Sequence, residues 1–235
     1  PHRGRFRQGS PLRQHTRPQL RHFPAGDSTV GAASLTTKKH CGMCPTTASP
    51  ERTPVTATAK DALKLRLSPL RRPSGAFAML AVDQREALRK MLAEHRPGPV
   101  SDADLQDFKL TTTRILSPQA SAVLIDRQFA LEAAIEHEVV AGLCGLIASA
   151  DHFETAHGEL VGEVTIDRLI DPDSLRERGV VALKLLVLYR PDQPASERTD
   201  MVREFIHICE EAGLASIIEP VSRRPLNGGD WDWNE

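Results

Sequence analysis

Short apolar runs alternate with amphipathic segments from about residue 62 to the end of the chain. The apolar runs predict strands that are covered on both faces, as in parallel sheets. Five strands are predicted, namely Ala76–Val82, Ser121–Ile125, Leu143–Ala148, Ala182–Leu188 and Ala215–Ile218. Repeated β-α units indicate an α/β protein with a parallel sheet, either doubly wound or closed into a barrel. No Gly-rich GxGxxG motif follows the first strand, which argues mildly against a dinucleotide-binding fold.

Helix signals fill the intervals between these strands. The predicted helices are Arg85–Glu94, Ser101 to about Leu116, Leu131–Val140, a short helix after Asp171, and Glu197–Ala212. Ser101 and Asp104 have the spacing of a capping box. Asp171 followed by Pro172 is typical of a helix start, and Gly213 of a helix end.

The first 61 residues show neither the two-residue periodicity of a strand nor the 3.6-residue periodicity of a helix. They contain ten Lys or Arg against three Asp or Glu, and Pro, Thr, Ser and Gly fill most of the rest. Such a segment cannot bury enough surface to offset chain entropy, so residues 1–61 are predicted to be a disordered basic arm. Three interpretations stay open: translated sequence outside the working protein, an organellar transit peptide, or a nucleic-acid-binding arm. The scattered cations and the lack of an aromatic platform make the last the weakest.

Overall composition favours no unusual partner. The formal net charge is -1, and 40% of the residues are hydrophobic. No apolar run of about 18 residues and no signal-peptide pattern is present, so we expect a cytoplasmic protein without a membrane span. Cys41 and Cys44 form one CxxC beside His40, but a structural zinc site usually needs two such pairs. We therefore expect no metal, and we expect Cys144 and Cys209 to be ordinary buried thiols.

Candidate chemistry lies where the predicted strands end, since sites of parallel α/β folds form there. The polar residues that we select at or near these ends are Asp83, Gln84, Arg85, Lys109, Asp126, Lys184 and Glu219. His152 and His157 are placed in a polar loop, and their spacing matches no metal motif.

Lys184 is the most informative of these residues because it interrupts an apolar strand. Alternation puts it on the same face as Leu186 and Leu188, opposite Leu185 and Val187. A buried ammonium must pair or lose its proton, and a depressed pKa would suit imine chemistry or a proton relay. The competing interpretations are an ion pair with Glu219 or Asp126, or a side chain that snorkels outward.

The neighbouring polar residues suggest supporting roles. Glu219, at the end of the fifth strand, is placed to relay protons beside a lysine, or to form a simple salt bridge. Asp83 and Arg85 are placed to anchor a hydroxylated, anionic substrate. Their alternative is a helix cap at Asp83 and a solvated Arg85.

Several collinear blocks resemble the tagatose-bisphosphate aldolase family, and within it the sulfofructosephosphate branch most. The blocks are Ser74–Ala87, Asp107–Lys109, Leu116–Pro118 with Ala120–Ala122, Ala182–Leu188, and Ser216–Val221. The resemblance implies a (β/α)8 barrel that uses no metal or other cofactor. It implies cleavage of a ketose phosphate, through a lysine imine, into dihydroxyacetone phosphate and an aldehyde. The expected substrate is 6-deoxy-6-sulfofructose 1-phosphate, which gives sulfolactaldehyde, and tagatose 1,6-bisphosphate is the alternative.

The resemblance also suggests roles for single residues. Glu219 matches the glutamate that shuttles protons, and Lys184 matches a lysine that assists binding and catalysis. Asp83 and Gln84 match substrate contacts. Arg85, Lys109 and Asp126 are further substrate-binding candidates. Arg85 and Asp126 follow the ends of predicted strands, and Lys109 lies on the predicted helix before the second strand.

The family's imine-forming lysine lies on the strand after the one that carries Glu219. The chain ends at Glu235, 16 residues past Glu219. We therefore expect residues 62–235 to form about the first five βα units of the barrel. Alone they would be inactive and poorly stable, and the complete enzyme would be a homo-oligomer. The alternative from another class is a non-catalytic remnant or a nucleic-acid binder that acts through the basic arm.

Overall fold

The computed structural model describes residues 59–229. The predicted arm, apart from its last three residues, lies outside this range, and so do Cys41, Cys44 and the closing segment 230–235. Those predictions stay predictions.

Five parallel strands form the central sheet, and two antiparallel strands form a separate hairpin. In chain order the strands are β1 (Met79–Ala81), β2 (Ala122–Asp126), β3 (Gly145–Ser149), β4 (Asp151–Ala156), β5 (Glu159–Ile166), β6 (Val180–Tyr189) and β7 (Ala215–Ser222). The hairpin consists of β4 and β5 and follows directly after β3.

The order of the sheet is β1-β2-β3-β6-β7, so each strand lies beside the next sheet strand along the chain. All four pairings are parallel. A doubly wound sheet would reverse its order at a switch point, whereas a barrel never does. The sheet is therefore five consecutive strands of a (β/α)8 barrel, as predicted, and the doubly wound alternative is wrong.

Six α-helices accompany the strands in residues 59–229. They are α1 (Ala59–Leu67), α2 (Glu86–Ala93), α3 (Asp102–Leu116), α4 (Leu131–Glu136), α5 (Pro172–Glu177) and α6 (Ala195–Glu211). The capping box at Ser101 and Asp104 is confirmed, and Asp171 caps α5 through the backbone N–H of Ser174. Gly213 follows α6 with φ of +70°, a conformation that glycine adopts without strain.

The predicted polar loop holds for His157 but is wrong for His152. His152 lies on β4, whereas His157 and Gly158 form the two-residue loop of the β4–β5 hairpin. Both loop residues have positive φ, +54° and +75°, as a type I′ turn requires. The hairpin was missed because its strands are mostly polar and its turn lacks the familiar Asn-Gly or Asp-Gly pair.

Other boundaries differ by a few residues. β1 begins at Met79 rather than Ala76, and α4 ends at Glu136 because Glu138 turns the chain with a positive φ of +48°. β6 and β7 extend past their predicted ends, to Tyr189 and Ser222. The added residues extend both strands at the carboxyl-terminal edge of the sheet, where the candidate residues lie.

The two faces of β6 pack against different surroundings. Leu185 and Val187 belong to the main core, together with Phe205 and Cys209 of α6, which are fully buried. Ala182 packs with Leu70 in a second cluster at the opposite end of the strand from the site. Because Leu185 and Val187 face the helices, the even-numbered residues from Lys184 onward face inward, as the alternation predicted. None of the described helices is long and apolar enough to cross a membrane.

Candidate active site

The carboxyl ends of β1, β3, β6 and β7 bring polar side chains to one place. The ammonium of Lys184 lies at its centre and contacts three carboxylates: Asp83 at 2.6 Å, Glu219 at 2.8 Å and Asp151 at 3.0 Å. The lysine side chain is only 2% exposed. Lys184 therefore points inward and pairs with Glu219, and neither the snorkelling alternative nor a pair with Asp126 is found.

Of the two alternatives for a buried ammonium at Lys184, the ion pair is found and the depressed pKa is not. Burial by itself lowers the pKa of this amine, but the carboxylates of Asp151 and Asp83 outweigh that effect and raise it well above the usual range. Hydrogen bonds to Asp83 and Glu219 act in the same direction. Lys184 is thus a permanent ammonium at neutral pH, and a protonated amine is a poor nucleophile for imine formation.

Asp151 is the site residue that the sequence analysis passed over. It is completely buried, and its Oδ1 accepts hydrogen bonds from Arg85 Nη2 and Ser149 Oγ. Its Oδ2 accepts from Lys184 Nζ and from the backbone N–H of Leu186. Four donors fix this carboxylate in position. The available signal was its position close to the end of the third apolar run, three residues after Ala148.

Arg85 is neither solvated nor free. Its Nη2 donates to Asp151 Oδ1 at 2.7 Å and to Ser149 Oγ at 3.1 Å, and its guanidinium stacks 4.2 Å from the centre of the Phe153 ring. Its Nε is buried without a hydrogen-bond partner, although the residue lines the cavity. Asp83 is not a helix cap, since Arg85 occupies that position at α2 and Asp83 binds Lys184 instead.

Lys109 and Asp126 form a second ion pair beneath the cluster. Both side chains are 0% exposed, and neither lines the cavity. Lys109 Nζ also donates to the carbonyl oxygens of Val82 and Gln84, each at 2.6 Å. Direct substrate contact by these two residues does not fit this placement, because no part of either side chain reaches the cavity surface.

A cavity of about 430 Å³ opens above the cluster, within the size range of small-molecule sites. Five of the seven candidates line it: Asp83, Gln84, Arg85, Lys184 and Glu219. The β4–β5 hairpin supplies an apolar wall through Phe153, Leu160 and Val161. This wall was not predicted from the sequence because the hairpin was not predicted.

The three carboxylates around Lys184 differ in their freedom. Asp151 is 0% exposed and Asp83 15%, whereas Glu219 is 48% exposed and contacts only Lys184 among the ion pairs of this site. Glu219 is therefore the carboxylate that can turn toward a ligand and exchange a proton with it. Three carboxylates against the cations of Lys184 and Arg85 leave one net negative charge, which favours a cationic species in the cavity.

Within residues 59–229, no group of three or more His, Cys, Asp or Glu side chains is arranged to hold a metal ion. The Lys184 ammonium occupies the point where the carboxylates of Asp83, Asp151 and Glu219 converge.

Comparison with known proteins decides the family. A family model described as DeoC/LacD family aldolase matches residues 77–231, which is more than half of the chain. The chain belongs to the DeoC/LacD aldolase family. The matched segment nearly coincides with the blocks that resembled tagatose-bisphosphate aldolases, so the predicted family is confirmed.

Curated relatives of this family agree with that assignment. Tagatose 1,6-diphosphate aldolase of Listeria monocytogenes serotype 4a (strain HCC23) is 31% identical over 162 residues, covering 66% of this chain and 46% of the relative. Tagatose 1,6-diphosphate aldolase 2 of Enterococcus faecalis (strain ATCC 700802 / V583) is 31% identical over 164 residues, with 68% and 48% covered. This chain thus spans about half the length of the curated aldolases that it matches.

A more distant likeness is found among solved structures. The fructose-bisphosphate aldolase of Plasmodium falciparum, crystallised with TRAP and a small-molecule inhibitor, aligns with a TM-score of 0.47 at 13% identity. The alignment covers 72% of this chain and 54% of the other. A likeness this weak carries no inference.

Proposed function

We propose that this chain provides the proton-transfer and charge-stabilising half of a class I aldolase site. The complete barrel cleaves a ketose phosphate into dihydroxyacetone phosphate and an aldehyde. The observation that carries the proposal is the pair of Lys184 and Glu219, a fixed ammonium beside a partly exposed carboxylate at the rim of a cavity. Membership of an aldolase family supports the reaction type.

The reaction divides into steps that suit these groups. A neutral lysine amine condenses with the ketone and releases water, which leaves a cationic imine as the electron sink. A base then takes the proton of the C4 hydroxyl, two carbons from the imine carbon C2. The C3–C4 bond breaks, and its electron pair forms the C2=C3 double bond of an enamine as the imine electrons move to the nitrogen. The former hydroxyl carbon leaves as the aldehyde, and protonation and hydrolysis of the enamine release dihydroxyacetone phosphate.

Glu219 is the group that we assign to the hydroxyl proton. It is the most exposed carboxylate of the cluster and lines the cavity beside Lys184. Lys184 stabilises negative charge that develops on the substrate oxygen, because its own charge is fixed by Asp151 and Asp83. The net negative charge of the cluster favours the cationic imine over the neutral ketone.

The amine that forms the imine is not Lys184 in this proposal. Among the lysines of residues 59–229 only Lys184 lines the cavity, and its pKa is raised. The pKa of Lys109 is lowered by burial, but its ammonium faces two carbonyls and Asp126 rather than the cavity. We assign the imine to a lysine on the barrel strand that follows β7, in agreement with the family resemblance.

Two ketose phosphates fit the proposal. The sequence blocks favour 6-deoxy-6-sulfofructose 1-phosphate, whereas the curated relatives are named for tagatose 1,6-bisphosphate. Both carry an anion at each end, and Arg85, the single guanidinium that residues 59–229 place on the cavity, is already paired with Asp151. The anions must therefore be bound mainly by groups outside the described residues, which leaves the choice of sugar to experiment.

The test uses a protein that carries this chain followed by the remaining barrel strands. Release of dihydroxyacetone phosphate is measured from each of the two sugars, and the ratio of kcat/KM values identifies the substrate. Borohydride added together with dihydroxyacetone phosphate should inactivate the protein, since it reduces the imine to a stable amine. Turnover of neither sugar, or activity that survives borohydride treatment, would contradict the proposal.

A further inference from the structure

Lys109 reaches from helix α3 to the end of strand β1. Its Nζ donates to the carbonyl oxygens of Val82 and Gln84 and to the carboxylate of Asp126, so that each of its three protons has an acceptor. The side chain is fully buried, and it is one of the largest fully buried side chains in residues 59–229. No ligand could reach it in this position.

The two carbonyls flank one residue, Asp83. β1 ends at Ala81, and its last backbone bond to β2 runs from the N–H of Val82 to the carbonyl of Leu124. Beyond Val82 the chain leaves the sheet and enters α2 only at Glu86. Beyond the last bond of the sheet, Lys109 fixes the peptide group before Asp83, through the Val82 carbonyl, and the second peptide group after it, through the Gln84 carbonyl.

The direction of the Asp83 side chain depends on those peptide groups. Its carboxylate lies 2.6 Å from Lys184 Nζ, and this is the shortest of the three ion pairs of Lys184. A short side chain such as Asp has two rotatable bonds, so its reach is set largely by the backbone that carries it. A shift of about 1 Å in the backbone would break the contact.

Asp126 offsets the cost of burying the Lys109 ammonium. Asp126 accepts a hydrogen bond from Lys109 Nζ and another from the backbone N–H of Phe129 at 2.8 Å, and its side chain is 0% exposed. A buried ammonium that faced only carbonyls would be costly. The pair thus links α3, the turn after β2 and the segment around Asp83.

We propose that Lys109 is a positioning residue, which holds Asp83 against Lys184 and thereby keeps the Lys184 ammonium fixed for the reaction. This replaces the sequence-based expectation that Lys109 and Asp126 contact substrate. The catalytic meaning of the proposal rests on the proposed aldolase function, but the geometric claim does not.

The test measures how accessible Lys184 is, not how fast the protein turns over. Reductive methylation of the lysines is followed by peptide mass spectrometry in the full chain, and the rate at Lys184 is divided by the rate at exposed Lys64. Lys109→Met removes the donors and keeps the apolar stem. Leu105→Ala is the matched control, since Leu105 is also fully buried on α3 but packs with Leu88 and Phe129.

In Lys109→Met, Asp83 should leave Lys184, and the relative methylation rate at Lys184 should rise about tenfold, as expected for the loss of one charge-assisted hydrogen bond. In Leu105→Ala the relative rate should stay at the wild-type value. The proposal is overturned if Lys109→Met leaves the rate unchanged, or if the control raises it as much.

A second variant covers the case in which Lys109→Met does not fold. Lys109→Met combined with Asp126→Leu removes the donors without leaving a buried charge unpaired, an exchange that proteins often tolerate. It should show the same rise at Lys184. An unchanged rate in this folded double variant would also overturn the proposal. Absence of aldolase activity would contradict the proposed function but would not affect the methylation result at Lys184.

Discussion

The ammonium of Lys184 on β6 and the carboxylate of Glu219 on β7 lie 2.8 Å apart at the rim of the cavity. The parallel register sets this relationship: Glu219 stands opposite Leu186, one inward-facing residue beyond Lys184. The lysine is 2% exposed and the glutamate 48%. One partner of the pair is therefore fixed in the wall, while the other borders the space that a substrate would occupy.

Replacing Lys184 by Met should destabilise the fold strongly. The change leaves Asp151 and Asp83 facing each other without their shared cation, and removing one partner of a buried ion pair costs about 3 kcal/mol or more. Urea unfolding of wild type and Lys184→Met measures the difference. Lys64→Met is the control, since Lys64 pairs with Asp61 on the surface, and it should change stability by less than about 0.5 kcal/mol. Equal effects of the two changes would contradict the buried cluster.

Stability should fall at alkaline pH because of Lys184. Its pKa is raised in the folded protein, so its contribution is complete below the unfolded-state value of about 10.4 and is lost as the pH rises beyond that value. The unfolding free energy of wild type should therefore decline between about pH 10 and pH 12. In Lys184→Met this decline should be shallower. A variant that loses stability as steeply as wild type would show that Lys184 is not stabilised in its charged form.

Glu219→Gln should separate catalysis from stability. The side chain is half exposed, so the variant should unfold within about 0.5 kcal/mol of wild type. In the complete barrel its kcat for carbon–carbon cleavage should drop about 10²- to 10⁴-fold, the usual range for removal of a general acid–base. Glu204→Gln, which disrupts an exposed pair with Arg168, is the matched control and should keep full activity. A Glu219→Gln enzyme with near wild-type kcat would remove Glu219 from the mechanism.

Asp151→Asn should destabilise the protein far more than its conservative chemistry suggests. The carboxylate is completely buried and accepts bonds from Arg85, Ser149, Lys184 and the Leu186 N–H. Neutralising it weakens two ion pairs at once, and an amide nitrogen must face donors, so a loss of about 3 kcal/mol is expected. Thermal or urea unfolding of Asp151→Asn and of the control variant Asp102→Asn measures this loss. Asp102 is an exposed partner of Arg89. Similar midpoints for the two variants would contradict the assigned role.

The sequence predicted the parts of the fold that depend on local pattern. Apolar strands, the capping box at Ser101 and the Gly at the end of α6 each follow from neighbouring residues, and each is found. The inward direction of Lys184 followed from alternation along β6. The hairpin was missed because its polar strands gain their order by pairing with each other, a relationship that no single run of residues shows.

Charge relationships within the site were harder to predict. Burial of Lys184 was visible in the sequence, so a lowered pKa stayed open beside an ion pair. The carboxylates that raise the pKa come from β4 and from the segment after β1. Asp126 was assigned to substrate because it ends a predicted strand, and Lys109 was assigned from the predicted helix before that strand. Their burial depends on how α3 packs beneath β1, which the sequence alone does not determine.

The central claim is that Lys184 supports the reaction as a fixed ammonium while another lysine forms the imine. The most direct test reduces the complete barrel with borohydride in the presence of dihydroxyacetone phosphate and locates the modified lysine by peptide mapping. The adduct should lie on a lysine of the strand that follows β7, with Lys184 and Lys109 unmodified. An adduct on Lys184 would contradict the account.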